Sequence, residues 1–179
     1  MATSMSEFSW VGSENNLVDQ LHIHTINHIT LGRFGGNSIA GQYKNEDGSL
    51  IWVDDKQDWE FVVLLDAHNS AESAELVINQ FLISKEEIQN SLLLNYEQTF
   101  KSLEKTILNM FQDEEFINAC RKVKGETACL IVLRKDKYLW WLSIGDCISY
   151  LFHPELAKLG QYSKPKTILR MGWTSQHVR

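Results

Sequence analysis

An α+β fold built on antiparallel strands is the class this sequence predicts, and three observations predict it. Apolar, β-branched runs come first, a block with apolar residues at three- and four-residue steps fills residues 70–120, and strand-like runs return after Gly125. Strands and helices that segregate in this way argue against a parallel fold of alternating strands and helices.

Residues 21–31 (LHIHTINHITL) are rich in β-branched residues and partly alternating, which predicts one extended strand. Gly32, Gly35, Gly36 and Gly41 then punctuate a loop or bent strand end. Residues 50–53 read as a short strand after the turn signal Glu46-Asp47-Gly48, and residues 59–65 (WEFVVLL) as a strand buried on both faces, closed by Asp66. The period then changes. Ala71, Ala74, Val77, Ile78, Phe81 and Leu82 form a helical stripe. Ser84 and Glu87 have the spacing of a capping box, opening a second helical region whose stripe runs from Ile88 through Leu92, Tyr96, Phe100, Leu103 and Ile107 to Phe111. Asp113 caps a further short helix through Cys120. Residues 127–133 and 138–144 flank the polar four-residue connection Arg134-Lys135-Asp136-Lys137, the pattern of a hairpin. Residues 147–152 are expected to form a third strand. Residues 163–179 carry Lys164, Lys166, Arg170 and Arg179 with no acidic residue and little periodicity, so they read as a basic tail following a domain at 1–162.

The chain has 179 residues, suited to one domain, and a chain of this size buries roughly 70% of its unfolded surface without staples. Its formal charge of -6 lacks the basic face of a nucleic-acid binder and fits a protein that gathers divalent cations. Cys120, Cys129 and Cys147 are odd in number and without a C-x-x-C pair, which favours reduced core thiols over a disulfide or zinc site. The polar N-terminus has no apolar core of a signal peptide, and no apolar run reaches the roughly 18 residues of a membrane span. A cytoplasmic protein is the expectation.

Three stretches place carboxylates at strand ends, where a rigid scaffold presents oxygen ligands suited to hard cations. They are Lys44-Asn45-Glu46-Asp47, Asp66-Ala67-His68-Asn69-Ser70 and Ile144-Gly145-Asp146. Each alone is more often a turn or a helix cap. Other signals read blandly: His22 and His24 share a strand face but lack a third zinc ligand, His28 is a polar-face residue, and Trp140-Trp141 sends one indole to each face of a strand. Ser70 lacks a nucleophile-elbow context, and no helix follows the Gly32–Gly36 segment as a dinucleotide loop requires.

Taken in order, the stretches resemble the metal-dependent protein phosphatases of the 2C type. That family shows G-x-x-[KR]-N-E-D, a strand ending D-G-H-G-G, then G-[ST]-T-A, then a hairpin ending G-D-S-R. The counterparts are Gly41 to Asp47, Asp66 to Ser70, Gly125-Glu126-Thr127-Ala128 and Gly145-Asp146-Cys147-Ile148, within residues 23–152. The resemblance implies a sandwich of two antiparallel sheets flanked by helices, incomplete at its C-terminal end. It implies that Asp47 and Asp66 bind Mn²⁺ or Mg²⁺ with the carbonyl of Ala67, that Glu46 holds metal-bound water and that Asp146 lies near an additional metal. It also implies hydrolysis of phosphoserine or phosphothreonine in a phosphoprotein, through water activated between two cations.

Departures from the pattern qualify this. Ala67, Asn69 and Ser70 replace glycines, Ile148 replaces an arginine, and Gln42 sits where an arginine binds phosphate, leaving Lys44 or Arg33 as substitutes. After Asp146 the chain has only Glu155 as an acidic residue, so it offers too few carboxylates for two cations. Weak or absent activity is therefore the expectation, with a non-catalytic phosphatase-like interaction module and a calcineurin-like metallophosphoesterase using Asp66-x-His68 and Gly145-Asp146 as the alternatives. The expected partners are a phosphoprotein or regulatory protein, and a homodimer formed over open sheet edges.

Overall fold

The computed structural model describes residues 5–152, 154–159 and 175–178. In chain order these form β1 (Met5–Val11), β2 (His22–Ile26), β3 (Ile29–Arg33), a 3₁₀ turn (Ser38–Ala40), β4 (Gly48–Asp54), β5 (Trp59–His68), α1 (Glu72–Ile83), α2 (Lys85–Leu92), α3 (Tyr96–Gln112), α4 (Glu114–Cys120), β6 (Glu126–Lys135), β7 (Tyr138–Ile144), α5 (Pro154–Lys158) and β8 (Ser175–Val178). The fold is α+β, and every strand pair among the described residues is antiparallel.

One sheet dominates, in the order β1-β4-β5-β6-β7-β8, and among the described residues β2 pairs only with β3. The expected sandwich of two full sheets is corrected accordingly: among the described residues the second sheet is a two-stranded hairpin. Strand alternation splits the large sheet into two apolar faces. Leu50, Trp52, Phe61, Val63, Leu65, Ile131, Leu133, Trp140 and Leu142 share one core cluster with Phe81, Ile88, Leu103 and Ile107 of α1, α2 and α3. Trp10, Ile51, Val53, Leu130 and Trp141 are buried on the other face. Trp140 and Trp141 thus divide between the faces, as the period of two requires.

The hairpin is fixed to this second face by its rings and charges. His24 stacks on Phe8 with centroids 4.2 Å apart, and the Arg33 guanidinium lies 5.0 Å from the rings of both Phe8 and Trp10. At its turn His28 Nδ1 lies 3.2 Å from Glu60 Oε1, and Glu60 also accepts from Arg134 Nε at 2.9 Å. The expected single strand over 21–31 is therefore two strands. Asn27 breaks it with a φ of 52°, a left-handed conformation that asparagine tolerates better than most residues.

Four further expectations change. Ser84 makes no side-chain cap and has ψ near 7°, whereas a capping residue needs extended backbone, so no capping box forms. Glu87 instead accepts from Thr106 Oγ1 at 3.1 Å. The long second stripe is cut at 93–95, where Asn95 accepts from Gln98 N and starts α3. The β6–β7 connection is shorter than four residues: Asp136 turns the chain with φ 53°, and Lys135 belongs to β6. Lys135 is 5% exposed and donates from Nζ to Leu92 O at 2.7 Å, at the C-terminal end of α2 where the helix dipole favours a cation. Residues 147–152 form no strand beyond an isolated bridge at Leu151, so Cys147 is a loop residue.

The strand beside β7 is β8, drawn from the segment expected to be a tail, with Leu139 opposite Val178 and Leu142 opposite Ser175. Lys164, Lys166, Arg170 and Arg179 lie outside the described residues. Asp113 caps α4 as expected, accepting from Glu115 N and Phe116 N.

Candidate functional site

Asp47 and Asp66 are brought together by strand register. Gly48 of β4 pairs with Leu65 of β5, so the residues one step beyond, Asp47 and Asp66, meet where the two strands diverge. Asp66 lies inside β5 rather than after it, because the strand continues to His68. Ala67 N donates to Asp47 Oδ1 at 3.4 Å.

The N-E-D element is held from three sides. Asn45, 7% exposed, accepts from Asp47 N at 3.0 Å through its side chain. Gly12 N donates to Asp47 O at 2.8 Å, and a Cβ on Gly12 would stand 2.3 Å from the Asn45 carbonyl oxygen. Only glycine allows the chain leaving β1 to approach this closely. Lys44 forms an ion pair with Glu46 and donates to Asn69 O at 3.0 Å, which ties the element to the turn after β5.

A cleft of about 430 Å³ opens over these groups, lined among others by Lys44, Glu46, Asp47, Asp66, Ala67 and His68. Five of the six site residues expected from sequence therefore converge. His68, which sequence reasoning used only in the metallophosphoesterase alternative, places Nε2 3.7 Å from Asp66 Oδ1. Arg33 lies on the far side of Asp47, lining a neighbouring cavity of about 210 Å³. Ala67 keeps the negative φ of an ordinary strand residue, and Asn69 takes the left-handed φ of 73° where the family pattern has glycine, so neither replacement of glycine is barred by the backbone.

Charge crowds this cleft. Burial pushes the Asp47 carboxyl above the usual aspartate range, and Asp66 and Glu46 push it further, against a lowering by the Ala67 hydrogen bond. Cys147 is pushed up to about 11, first by burial and then by the charges of Asp66, Asp146 and Asp47. That influence sets Asp146, exposed after Gly145, at the edge of the same negative region rather than in the lining of the cleft. Cys147 is the residue that sequence reasoning missed here, since its apolar neighbours suggested a strand. Iodoacetamide under mildly alkaline conditions is expected to modify exposed Cys120 first, Cys147 slowly and buried Cys129 only on unfolding. Peptide mass spectrometry reads the order, and Cys147 reacting fastest would contradict this electrostatic picture.

Among the described residues no group of three or more His, Cys, Asp or Glu side chains stands in metal-holding geometry, and no helix is long and apolar enough to cross a membrane. No family model matches the chain. No curated protein matches it either.

Proposed function

We propose that this chain is a protein phosphatase 2C-like domain whose cleft holds one divalent cation, Mg²⁺ or Mn²⁺, beside the phosphate of a phosphoserine or phosphothreonine. The observation that carries the reading is the meeting of Asp47 and Asp66 at the paired ends of β4 and β5, with the Ala67 backbone beside them. Two carboxylates and a carbonyl suit one hard cation completed by water. They do not suit two, because Glu46 is engaged by Lys44 and Asp146 does not line the cleft. When bound, the cation supplies Lewis acidity toward water and a phosphoryl oxygen.

The chain's own groups have separable roles in this reading. Asp47 and Asp66 bind and orient the cation and concentrate negative charge that holds it. Lys44, tethered between Glu46 and Asn69, is the lysine in the cleft lining and is the group this reading assigns to the phosphate. Phe34, Ile39 and Tyr43 are exposed on the segment that borders the cleft, at 52%, 95% and 77%. An apolar rim of this kind suits a polypeptide carrying the phosphate better than a small sugar phosphate.

The non-catalytic form of the reading has its own support. With Glu46 bound to Lys44 and, among the described residues, no carboxylate other than Glu46, Asp47 and Asp66 lining the cleft, recognition of a phosphoprotein survives where turnover does not. Phosphoserine peptide hydrolysis in millimolar Mn²⁺ is expected to be slight or undetectable, while the peptide binds and Lys44→Ala weakens it. Robust Mn²⁺-dependent hydrolysis that Asp66→Asn abolishes would contradict the low activity and leave the site assignment standing. Hydrolysis unchanged by Asp66→Asn would contradict the site.

A further inference from the structure

The wall of the cleft stops at β5. Its lining comes from residues 34–47 and 66–68, so among the described residues β6 and β7 contribute nothing to it. Strand register carries the end of the sheet on past this wall. Gly48, Leu65, Cys129 and Ile144 lie in one row across β4, β5, β6 and β7. One step beyond that row, Ala128 pairs with Asp66, and Gly145 follows Ile144. Gly145 packs on Ala128 so closely that a Cβ on it would stand 2.6 Å from the Ala128 Cβ. The sheet end that begins at Asp47 and Asp66 therefore runs on to Asp146, two strands from Asp66. Neighbouring strands lie about 4.8 Å apart, which makes this separation about 10 Å.

Asp146 is the carboxylate along this edge that nothing matches. Asp47 and Asp66 serve the cation, and Lys44 neutralises Glu46. Asp146 is exposed, and among the described residues it makes no ion pair. A phosphorylated polypeptide lying along the sheet end would pass over it after leaving the cation. A chain in the polyproline conformation rises about 3.1 Å per residue and returns to the same side at every third residue, so it presents side chains about 9 Å apart. A β-strand presents them on one side at about 7 Å and 13 Å, which matches the edge less well.

We propose that Asp146 selects phosphopeptides that carry arginine or lysine three residues to one side of the phosphoserine. This selectivity rests on the phosphopeptide reading of the cleft and adds the substrate's own chemistry to it. Arginine suits the position best, because its planar fork pairs with a carboxylate through two parallel hydrogen bonds.

Fluorescence anisotropy of the full chain in Mn²⁺ and low salt tests the proposal, with phosphoserine peptides that move one arginine through an alanine background. Arginine three residues away on one side is expected to tighten binding about threefold to fivefold over alanine, the scale of an exposed ion pair, and arginine at the neighbouring positions to do less. Added salt is expected to narrow the difference. Asp146→Asn, at an exposed position, is expected to remove the preference and keep the affinity for the all-alanine phosphopeptide. Asp146→Lys is expected to prefer glutamate at the same place. Failure of every phosphopeptide to bind would overturn this selectivity together with the reading of the cleft. Binding with no preference by position, or a preference that Asp146→Asn retains, would overturn the role of Asp146 alone.

Discussion

Asp47→Asn is expected to melt at a higher temperature than the wild-type chain in EDTA, and to lose the stabilisation that Mn²⁺ gives the wild type. The first half follows from the raised carboxyl, caused by burial and by the charges of Asp66 and Glu46. An acid whose folded value lies above its unfolded value contributes stability that is fully present below the unfolded value. That stability is lost as pH rises through the folded one. At neutral pH the ionised Asp47 is therefore a net cost, and asparagine removes it while keeping an oxygen for the Ala67 N–H. A rise on the order of a few degrees is expected. The second half follows from linkage: a cation at about a hundred times its dissociation constant adds about 2.7 kcal/mol to a protein that binds it, and nothing to one that does not. Thermal melts of both proteins, with EDTA and with Mn²⁺ and across pH, check both halves. A variant that melts lower in EDTA would mean that Asp47 holds the fold together rather than serving a ligand.

Gly125→Ala is expected to lose about 3 kcal/mol or more of stability. Gly125 has a φ of +84°, where an L-residue costs about 1–2 kcal/mol. A Cβ there would also stand 2.4 Å from the His68 carbonyl oxygen and 2.9 Å from Ser70 N, both backbone atoms that cannot rotate away. The turn after β5 would have to move, and it carries Asn69, the anchor of Lys44. A fall in Tm of roughly 6–12 °C is expected for a chain of this size, by calorimetry or circular dichroism. A loss below about 1 kcal/mol would show that the turn yields easily and that Gly125 does not position the cleft.

The strands that were legible in the sequence are those whose burial is continuous. WEFVVLL and YLWWLSI could hardly be anything else, and Tyr138–Ile144 has the bounds that its pattern suggests. β1 went unread because Ser6, Glu7 and Ser9 interrupt it: an edge strand needs apolar residues on its covered positions only, and its pairing with β4 is long-range. The division of 21–31 into a hairpin turned on Asn27, whose left-handed φ leaves no mark on hydrophobic periodicity. Lys135 reads as a turn residue from composition, yet it is buried because a helix end three elements away offers it a carbonyl. Ser84 and Glu87 have the spacing of a capping box but not the backbone, since α1 ends and α2 begins without an extended residue between them. The cleft was more legible than the fold, because carboxylates at strand ends converge once the register of β4 and β5 is set. What could not be read was the Lys44–Glu46 pair and the proximity of Cys147, both set by how loops return to the cleft.

Paramagnetic broadening by Mn²⁺ of the amide spectrum of the full chain tests the central reading most directly. Substoichiometric Mn²⁺ is expected to broaden Glu46, Asp47, Asp66, Ala67 and His68 first, to leave His22 and His24 sharp, and to have no local effect in Asp66→Asn. Broadening that is uniform, that centres on the histidines of β2, or that persists at Asp47 in Asp66→Asn would contradict a cation site at the meeting of β4 and β5.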